Sequence, residues 1–174
     1  MSAALIERAH DFGIDYVWPG IEPVQRSSCL NINLLLSAES QPYQSCFGQE
    51  CYPTLAAKAA YLFYHLATGH VFSNGNKRTA TLCLDTFLLA NARYLTLSNT
   101  EVHDLAQGVA SAGERGERYE DVLAHTTAKI TENNIPLSAF RVTDRKTYRY
   151  LHRRKWTIRN SPLNVFGHPL AQRG

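Results

Sequence analysis

Apolar residues recur at helical spacing along most of this chain, and the clearest such stretch lies near its middle. It begins after Thr54, a residue that caps helix starts, runs through the apolar residues 55–67 and ends at Gly69. Apolar side chains lie on nearly all sides of this helix, a pattern typical of the central helix of a small bundle. A second apolar helix is predicted from about residue 77 to residue 92.

Weaker patterns on both sides of this pair predict the rest of a helical bundle. Further helices are expected at 3–12, 30–36, 102–109 and 119–130, and extended segments at 14–18 and 94–97. The polar run from Ser37 to Ser45 predicts an excursion that leaves the core and returns to it.

Chain length and composition limit the architecture to one domain with an appendage. The 174 residues are 44% hydrophobic, enough for one core of ordinary size. No apolar run approaches the length of a membrane span, and the first residues lack the basic and apolar regions of a leader. The expectation is a soluble cytoplasmic protein without a membrane partner.

The cysteines favour a reducing compartment. None of the four forms a CxxC pair, and Cys83 falls in an apolar helical pattern, where a buried free thiol is usual. Cys46 and Cys51 are compatible with a disulfide or a shared metal, although their spacing matches no common zinc site.

Charge divides the chain near residue 134. Residues 1–134 hold 9 Lys and Arg against 14 Asp and Glu, whereas residues 135–174 hold 9 against one, a balance of +8. We predict a domain over 1–134 and a basic extension over 135–174. The extension interleaves cations with aromatic residues, which is compatible with nucleic-acid binding, but packing on the acidic domain is the favoured interpretation.

The turn between the two apolar helices, residues 70–79, has the sequence HVFSNGNKRT, and its chemistry suits phosphate. Gly75 lets the backbone approach a ligand, and the start of the next helix points backbone N–H groups at the same place. Lys77 and Arg78 oppose the helix dipole in this first turn, so a bound polyanion is the natural compensation.

Side chains of the same segment suggest specific roles. Histidine commonly accepts a proton near neutral pH, so His70 is the candidate base for an incoming hydroxyl. Asn74 offers an oxygen to magnesium or phosphate, Asn76 offers an amide to phosphate oxygens, and Phe72 is expected to anchor the turn inside. The other histidines form no recognisable group.

The segment His70-x-Phe72-x-Asn74-Gly75-Asn76-Lys77-Arg78-Thr79 resembles the signature of the Fic/Doc family in its Doc form. The likeness extends to residues 47–60 before the motif and to residues 94–95 and 101–105 after it, and covers about residues 1–133. Each of these residues is common on its own in proteins without phosphate chemistry, but the order of all ten with matching flanks is specific.

The resemblance implies an all-α fold: a helical bundle with a central apolar helix, a motif loop opening the next helix, and a short flap at about residues 37–53 that holds the target. It implies that His70 is the catalytic base, that Gly75, Asn76, Lys77 and Arg78 bind the nucleotide, and that ATP and Mg²⁺ are used. The family has Asp or Glu where this chain has Asn74, and an amide binds magnesium more weakly than a carboxylate does.

Lys77 stands where AMP-transferring relatives carry glycine, and in Doc-type enzymes that lysine accompanies phosphate transfer to a protein. The resemblance therefore implies a toxin that phosphorylates a threonine of elongation factor Tu and inhibits translation. Transfer of AMP to a protein hydroxyl, and a catalytically weak fold that binds partners through the basic extension, are the alternatives. No Glu in the chain has Ser or Thr four residues before it, so the inhibitory helix of some relatives is missing and a small antitoxin in trans is expected.

Overall fold

Six helices and two short antiparallel ladders make up the part of the chain that the structure, a computed structural model, describes: residues 1–14 and 29–139. The helices are α1 Ala3–Phe12, α2 Ile32–Ser40, α3 Leu55–Thr68, α4 Asn76–Ala90, α5 Asn99–Ala110 and α6 Tyr119–Glu132. The ladders pair β1 Ser45–Cys46 with β2 Gln49–Glu50, and β3 Arg93–Leu95 with β4 Asn134–Pro136. Short 3₁₀ turns occupy Gln41–Tyr43 and Leu137–Ala139. The predicted all-α fold is confirmed.

Helix α3 lies at the centre of the bundle, as its all-round apolar character predicts. The Thr54 hydroxyl accepts the Ala57 N–H at 3.0 Å, and Gly69 ends the helix. Helices α4, α5 and α6 all pack against α3. Burial on several sides therefore fixes α3 as the element on which the others are arranged.

Helix α4 continues from the motif turn with a nearly unbroken buried run from Leu82 to Leu88. Asp85 is buried within this run. Cys83 is a free buried thiol, as expected, and burial raises the pKa of its thiol well above the ordinary value. Both residues belong to the interior of the bundle.

The polar run from Ser37 to Ser45 folds differently from the prediction, because its first residues belong to α2. The Asn31 side chain caps α2 by accepting the N–H groups of Asn33 and Leu34, and the helix continues to Ser40. Residues 37–40 are thus helical rather than part of an excursion. Their polarity suits the outer face of a helix whose inner face buries Ala38, and polar side chains on one face do not stop a helix.

Packing continues past the composition boundary at residue 134. Tyr94 pairs with Ile135 in the β3–β4 ladder, and the Arg93 Nε–H donates to the Asn134 Oδ1 at 2.6 Å. The Leu137 N–H donates to the Ala92 carbonyl at 2.9 Å. The division into 1–134 and 135–174 stays a prediction, and residues 140–174 lie outside the described part.

Helices α1, α5 and α6 form where the spacing predicts them, and β3 covers the first part of the extended segment expected at 94–97. The extended segment expected at 14–18 is wrong at Ile14, which lies in a helical turn that continues α1, and residues 15–18 lie outside the described part. Within the described ranges, no helix has the length and apolar character required to cross a membrane.

Candidate active site

The motif segment, residues 70–79, connects the end of α3 to the first turns of α4 and alternates exposed with buried positions. His70 follows the Gly69 cap with a positive φ of 47°, and its side chain is exposed. Val71 and Phe72 are buried, which confirms Phe72 as the anchor. The Val71 carbonyl accepts the Leu30 N–H at 2.8 Å, so the chain before α2 braces the segment.

Asn76 closes the turn with two hydrogen bonds to one residue. Its Oδ1 accepts the Phe72 N–H at 2.9 Å, and its Nδ2 donates to the Phe72 carbonyl at 2.8 Å. An amide nitrogen carries two hydrogens, so one of them is left for a ligand oxygen. Asn76 thus has a structural role that the sequence did not show, and its role in phosphate binding stays a prediction.

Gly75 gives the backbone its reversal before α4. Its φ of 77° and ψ of 7° lie in the left-handed region, which side chains with a Cβ rarely adopt. The Asn74 Oδ1 accepts the Gly75 N–H at 2.6 Å, and the Gly75 carbonyl accepts the Thr79 N–H at 2.9 Å. This geometry directs the first N–H groups of α4 outward.

The start of α4 has the chemistry of an anion site. Its N-cap residue, Gly75, has no side chain to cap the helix, and the first turn contains Lys77 and Arg78 and no acidic residue. An α-helix leaves its first N–H groups without carbonyl partners of its own, and its dipole adds partial positive charge there. Lys77 is exposed and Arg78 half-buried. One turn thus contains all six candidate site residues: His70, Asn74, Gly75, Asn76, Lys77 and Arg78.

The metal-binding chemistry of this turn is sparse. The Asn74 oxygen already accepts the Gly75 N–H, and the described residues contain no group of three His, Cys, Asp or Glu side chains able to hold a metal ion. Magnesium typically binds through a carboxylate or two, with phosphates and water completing its shell. The residues fit phosphate better than they fit a bare cation, and a magnesium ion here would depend on the phosphates for most of its ligands.

His10, which the sequence pattern did not connect with the motif, contacts this turn. Its ring is 2% exposed, stacks on Phe72 with ring centroids 4.0 Å apart, and places its Nε2 3.0 Å from the Asn74 carbonyl. The sequence does indicate that His10 is buried, because it follows Ile6 by four residues and so lies on the apolar face of α1. A histidine on an apolar face needs a hydrogen-bond partner, but the sequence does not say which.

The predicted flap, residues 37–53, begins within α2, and its later part forms a hairpin closed by a disulfide. Cys46 and Cys51 are bonded, with Cα atoms 5.7 Å apart, which decides between the disulfide and the shared metal left open above. Phe47 stands fully exposed at the tip. Disulfides are uncommon in reducing compartments, so the bond departs from the expected reduced thiols, and the cytoplasmic location stays a prediction.

The base of the flap rests on aromatic residues of the bundle. The hydroxyl oxygens of Tyr52 and Tyr119 are 2.9 Å apart, and the Tyr52 ring lies 4.6 Å from that of Tyr61. The Lys58 ammonium donates to Glu50 Oε2 and to the Tyr52 carbonyl, both at 2.6 Å. Burial, with Tyr52 beside it, raises the pKa of Tyr61 to about 12, so this phenol stays neutral at physiological pH.

The fold and the site together define a helical bundle with an exposed histidine, a left-handed glycine and a cationic helix start on one turn. Residues 1–88 match the model of the Fic/DOC family, and this chain belongs to that family. Proteins of the family are protein-modifying transferases.

One curated relative is Toxin Doc of Mycolicibacterium smegmatis (strain ATCC 700084 / mc(2)155), 43% identical over 58 residues. The aligned stretch is 33% of this chain and 45% of the relative, so the chain spans about half the length of the protein it matches. No solved structure gives a significant match.

Proposed function

We propose that this protein is a Doc-like toxin that transfers the terminal phosphate of ATP to a hydroxyl group of a target protein and so inhibits translation. The observation that carries the proposal is the single turn that joins exposed His70 to the uncapped, cationic start of α4. Family membership and the likeness to Toxin Doc support the transferase class. By resemblance, the target is a threonine of elongation factor Tu.

In the proposed reaction, one group of the site accepts the proton of the target hydroxyl and other groups bind the transferring phosphate. The target hydroxyl oxygen forms a bond to the γ-phosphorus, the bond from that phosphorus to its bridging oxygen breaks, ADP leaves, and His70 receives the hydroxyl proton. The first N–H groups of α4, with Lys77 and Arg78, stabilise the negative charge of the transferring phosphate. Bound magnesium would add further neutralisation of the phosphates.

The choice between phosphate and AMP transfer depends on which phosphate lies at the start of α4. Lys77 supports the terminal phosphate by resemblance to Doc-type enzymes. ATP labelled at the γ-phosphate or at the α-phosphate, incubated with the purified protein and cell lysate, separates the two reactions. Label retained only from the γ position supports the proposal, whereas label retained only from the α position assigns AMP transfer.

A matched pair of histidine variants tests the base. His70→Ala is expected to abolish transfer to the lysate protein because the proton acceptor is lost, while the midpoint of thermal unfolding stays close to that of the wild type. His103→Ala, which removes an exposed histidine from α5, is the control and should transfer normally. Equal activity in His70→Ala and wild type would overturn the catalytic role of His70.

The same assay addresses the binding-module alternative. Mass spectrometry of the labelled lysate protein identifies the target and the modified residue. Nucleic-acid binding that weakens steeply with salt, without transfer of either label, would replace the enzyme proposal by a binding function.

A further inference from the structure

His10 is a buried polar side chain that links α1 to the motif segment. It lies at the end of α1 among the buried residues Leu5, Ile6 and Ala9, and its ring is 2% exposed. Burial of an imidazole away from water is unfavourable unless its nitrogens have hydrogen-bond partners. The partners of His10 therefore indicate what holds it there.

Two of the three groups that the His10 ring contacts lie within the motif segment. The Nε2 is 3.0 Å from the Asn74 carbonyl oxygen, and because a carbonyl only accepts, Nε2 must carry the hydrogen and donate it. The Nδ1 is 3.4 Å from the carboxylate of the neighbouring Asp11. The ring stacks on Phe72 with an interplanar angle of 14°. One side chain thus contacts two residues that lie on either side of Ser73.

The motif segment is held from two sides, by His10 on α1 and by Asn76 on α4. Asn76 binds the Phe72 backbone from the α4 side, and Asn74 binds the Gly75 N–H through its own side chain. The Asn74 carbonyl, between these two interactions, is bonded to α1 through His10. The exposed candidate residues His70 and Asn74 sit on this segment, so their placement depends on the backbone that His10 holds.

We propose that His10 is a positioning residue for the active site: it fixes the backbone of residues 72–75 and so sets the geometry of the turn that presents His70 and the start of α4. The inference rests on the proposed function for its kinetic consequence, but its structural part does not. Misplacement of a reacting group by about 1 Å can lower a rate roughly 100-fold, so small shifts of this turn are expected to matter.

The kinetic test compares three substitutions that remove different parts of the contact. His10→Ala removes both the donor and the stack, His10→Phe keeps the stack, and His10→Gln keeps an N–H donor. We expect kcat for transfer to fall about 10- to 100-fold in His10→Ala with the KM for ATP changed less than threefold, and His10→Gln to recover more of kcat than His10→Phe. A rise in KM at unchanged kcat would overturn the positioning role.

His65→Ala is the matched control, because His65 makes the same kind of bond elsewhere. The Nε2 of His65, on α3, is 2.8 Å from the Leu34 carbonyl, so this bond links α3 to α2 rather than α1 to the motif segment. The control is expected to lose stability without loss of kcat. Equal loss of kcat in His65→Ala and His10→Ala, relative to their unfolding midpoints, would show that His10 acts only through global stability.

Hydrogen exchange supplies a measurement that needs no transferase activity. Amides of residues 72–76 should exchange at least several-fold faster in His10→Phe and His10→Ala than in the wild type, and at the wild-type rate in His65→Ala. Unchanged exchange in both His10 variants would overturn the inference. A wild-type protein that transfers neither label would instead overturn the proposed function, and the exchange result would still decide the role of His10.

Discussion

Gly75 shows how one residue serves both the backbone and the chemistry of the site. Its φ of 77° places it in the left-handed region, and Gly116, in the connection between α5 and α6, has a similar φ of 71°. The two positions share a backbone requirement but differ in location. They therefore separate the stability of the fold from the function of the turn.

Gly75→Ala is expected to lower the free energy of unfolding by about 1–2 kcal/mol, since an L-residue is disfavoured at this φ, and to lower transfer activity strongly. Gly116→Ala should cost a similar amount of stability and leave transfer intact. Denaturant unfolding and the labelled-ATP assay measure the two effects. If both variants lost activity in proportion to their stability, the geometry at Gly75 would have no special part in transfer.

A substitution at Asn74 tests whether this residue contributes to magnesium binding. Asn74→Asp keeps an oxygen that can accept the Gly75 N–H and adds a charge that magnesium prefers. We expect higher transfer activity than wild type at limiting magnesium and a smaller gain at saturating magnesium. Titration of magnesium at fixed ATP checks this, and identical magnesium dependence in the two proteins would place Asn74 outside the metal site.

At the scale of elements, the hairpin β1–β2 depends on its crosslink. Its two strands have two residues each and all four are exposed, so burial contributes little to its order. A disulfide across about six residues removes roughly 2 kcal/mol of chain entropy from the open form. The covalent bond is therefore the main constraint on the shape of the flap tip.

Replacing both Cys46 and Cys51 by Ser should leave the unfolding midpoint of the bundle nearly unchanged while residues 44–50 become more sensitive to proteolysis. Target modification should weaken through KM, if the flap holds the target as the resemblance implies. Cys29→Ser, which alters a cysteine that is not disulfide-bonded, is the control. Wild-type protease resistance of the flap in the double variant would show that the disulfide does not order it.

The capping box of α5 supplies a prediction on pH. The Glu101 carboxylate accepts the Ser98 N–H at 2.7 Å, and hydrogen bonding to Ser98 lowers the pKa of Glu101 below its ordinary 4.5. A lowered folded-state pKa contributes stability that is present above the unfolded pKa and is lost as pH falls through the folded value.

The free energy of unfolding should therefore fall more in wild type than in Glu101→Gln when pH is lowered from about 6 to about 3. Glutamine retains the capping oxygen without titrating. Chemical denaturation across this range provides the measurement. Parallel pH profiles for the two proteins would mean that the Glu101 carboxylate is no better stabilised in the folded state than in the unfolded one.

At the scale of the whole molecule, removal of the basic extension tests how the protein is regulated. The expected antitoxin in trans and an extension that inhibits its own active site predict opposite results on truncation. The β3–β4 ladder shows where to cut: residues 135 and 136 pair with β3, so a truncation at 134 would remove a strand. Deleting residues 140–174 leaves the described bundle whole.

We expect the 1–139 protein to transfer phosphate at a rate within about threefold of the full chain, and both to arrest growth unless a small partner is coexpressed. The purified proteins are compared in the labelled-ATP assay and the genes in an inducible growth assay. Strong activity that appears only after truncation would establish inhibition by the extension itself and would contradict an antitoxin in trans.

The sequence by itself determined most of the helices and the motif, because both depend on local information. The cap at Thr54, the stop at Gly69 and the all-round apolar pattern between them specify α3 without reference to distant residues. The order of residues 70–79 likewise identifies the turn and its family. Periodicity, caps and glycine placement act over a few residues, so they can be recognised along the chain.

Only the tertiary structure decided which distant groups meet at that turn. His10 is separated from Asn74 by 64 positions along the chain. The oxygen and the nitrogen of the Asn76 amide both form hydrogen bonds with the Phe72 backbone, which the sequence does not indicate. The continuation of α2 to Ser40 was equally hidden, because burial of Ala38 outweighs the polar composition around it. Such contacts depend on how the helices pack. A polar residue at a buried position of the sequence requires a hydrogen-bond partner, but the sequence does not show which residue that partner is.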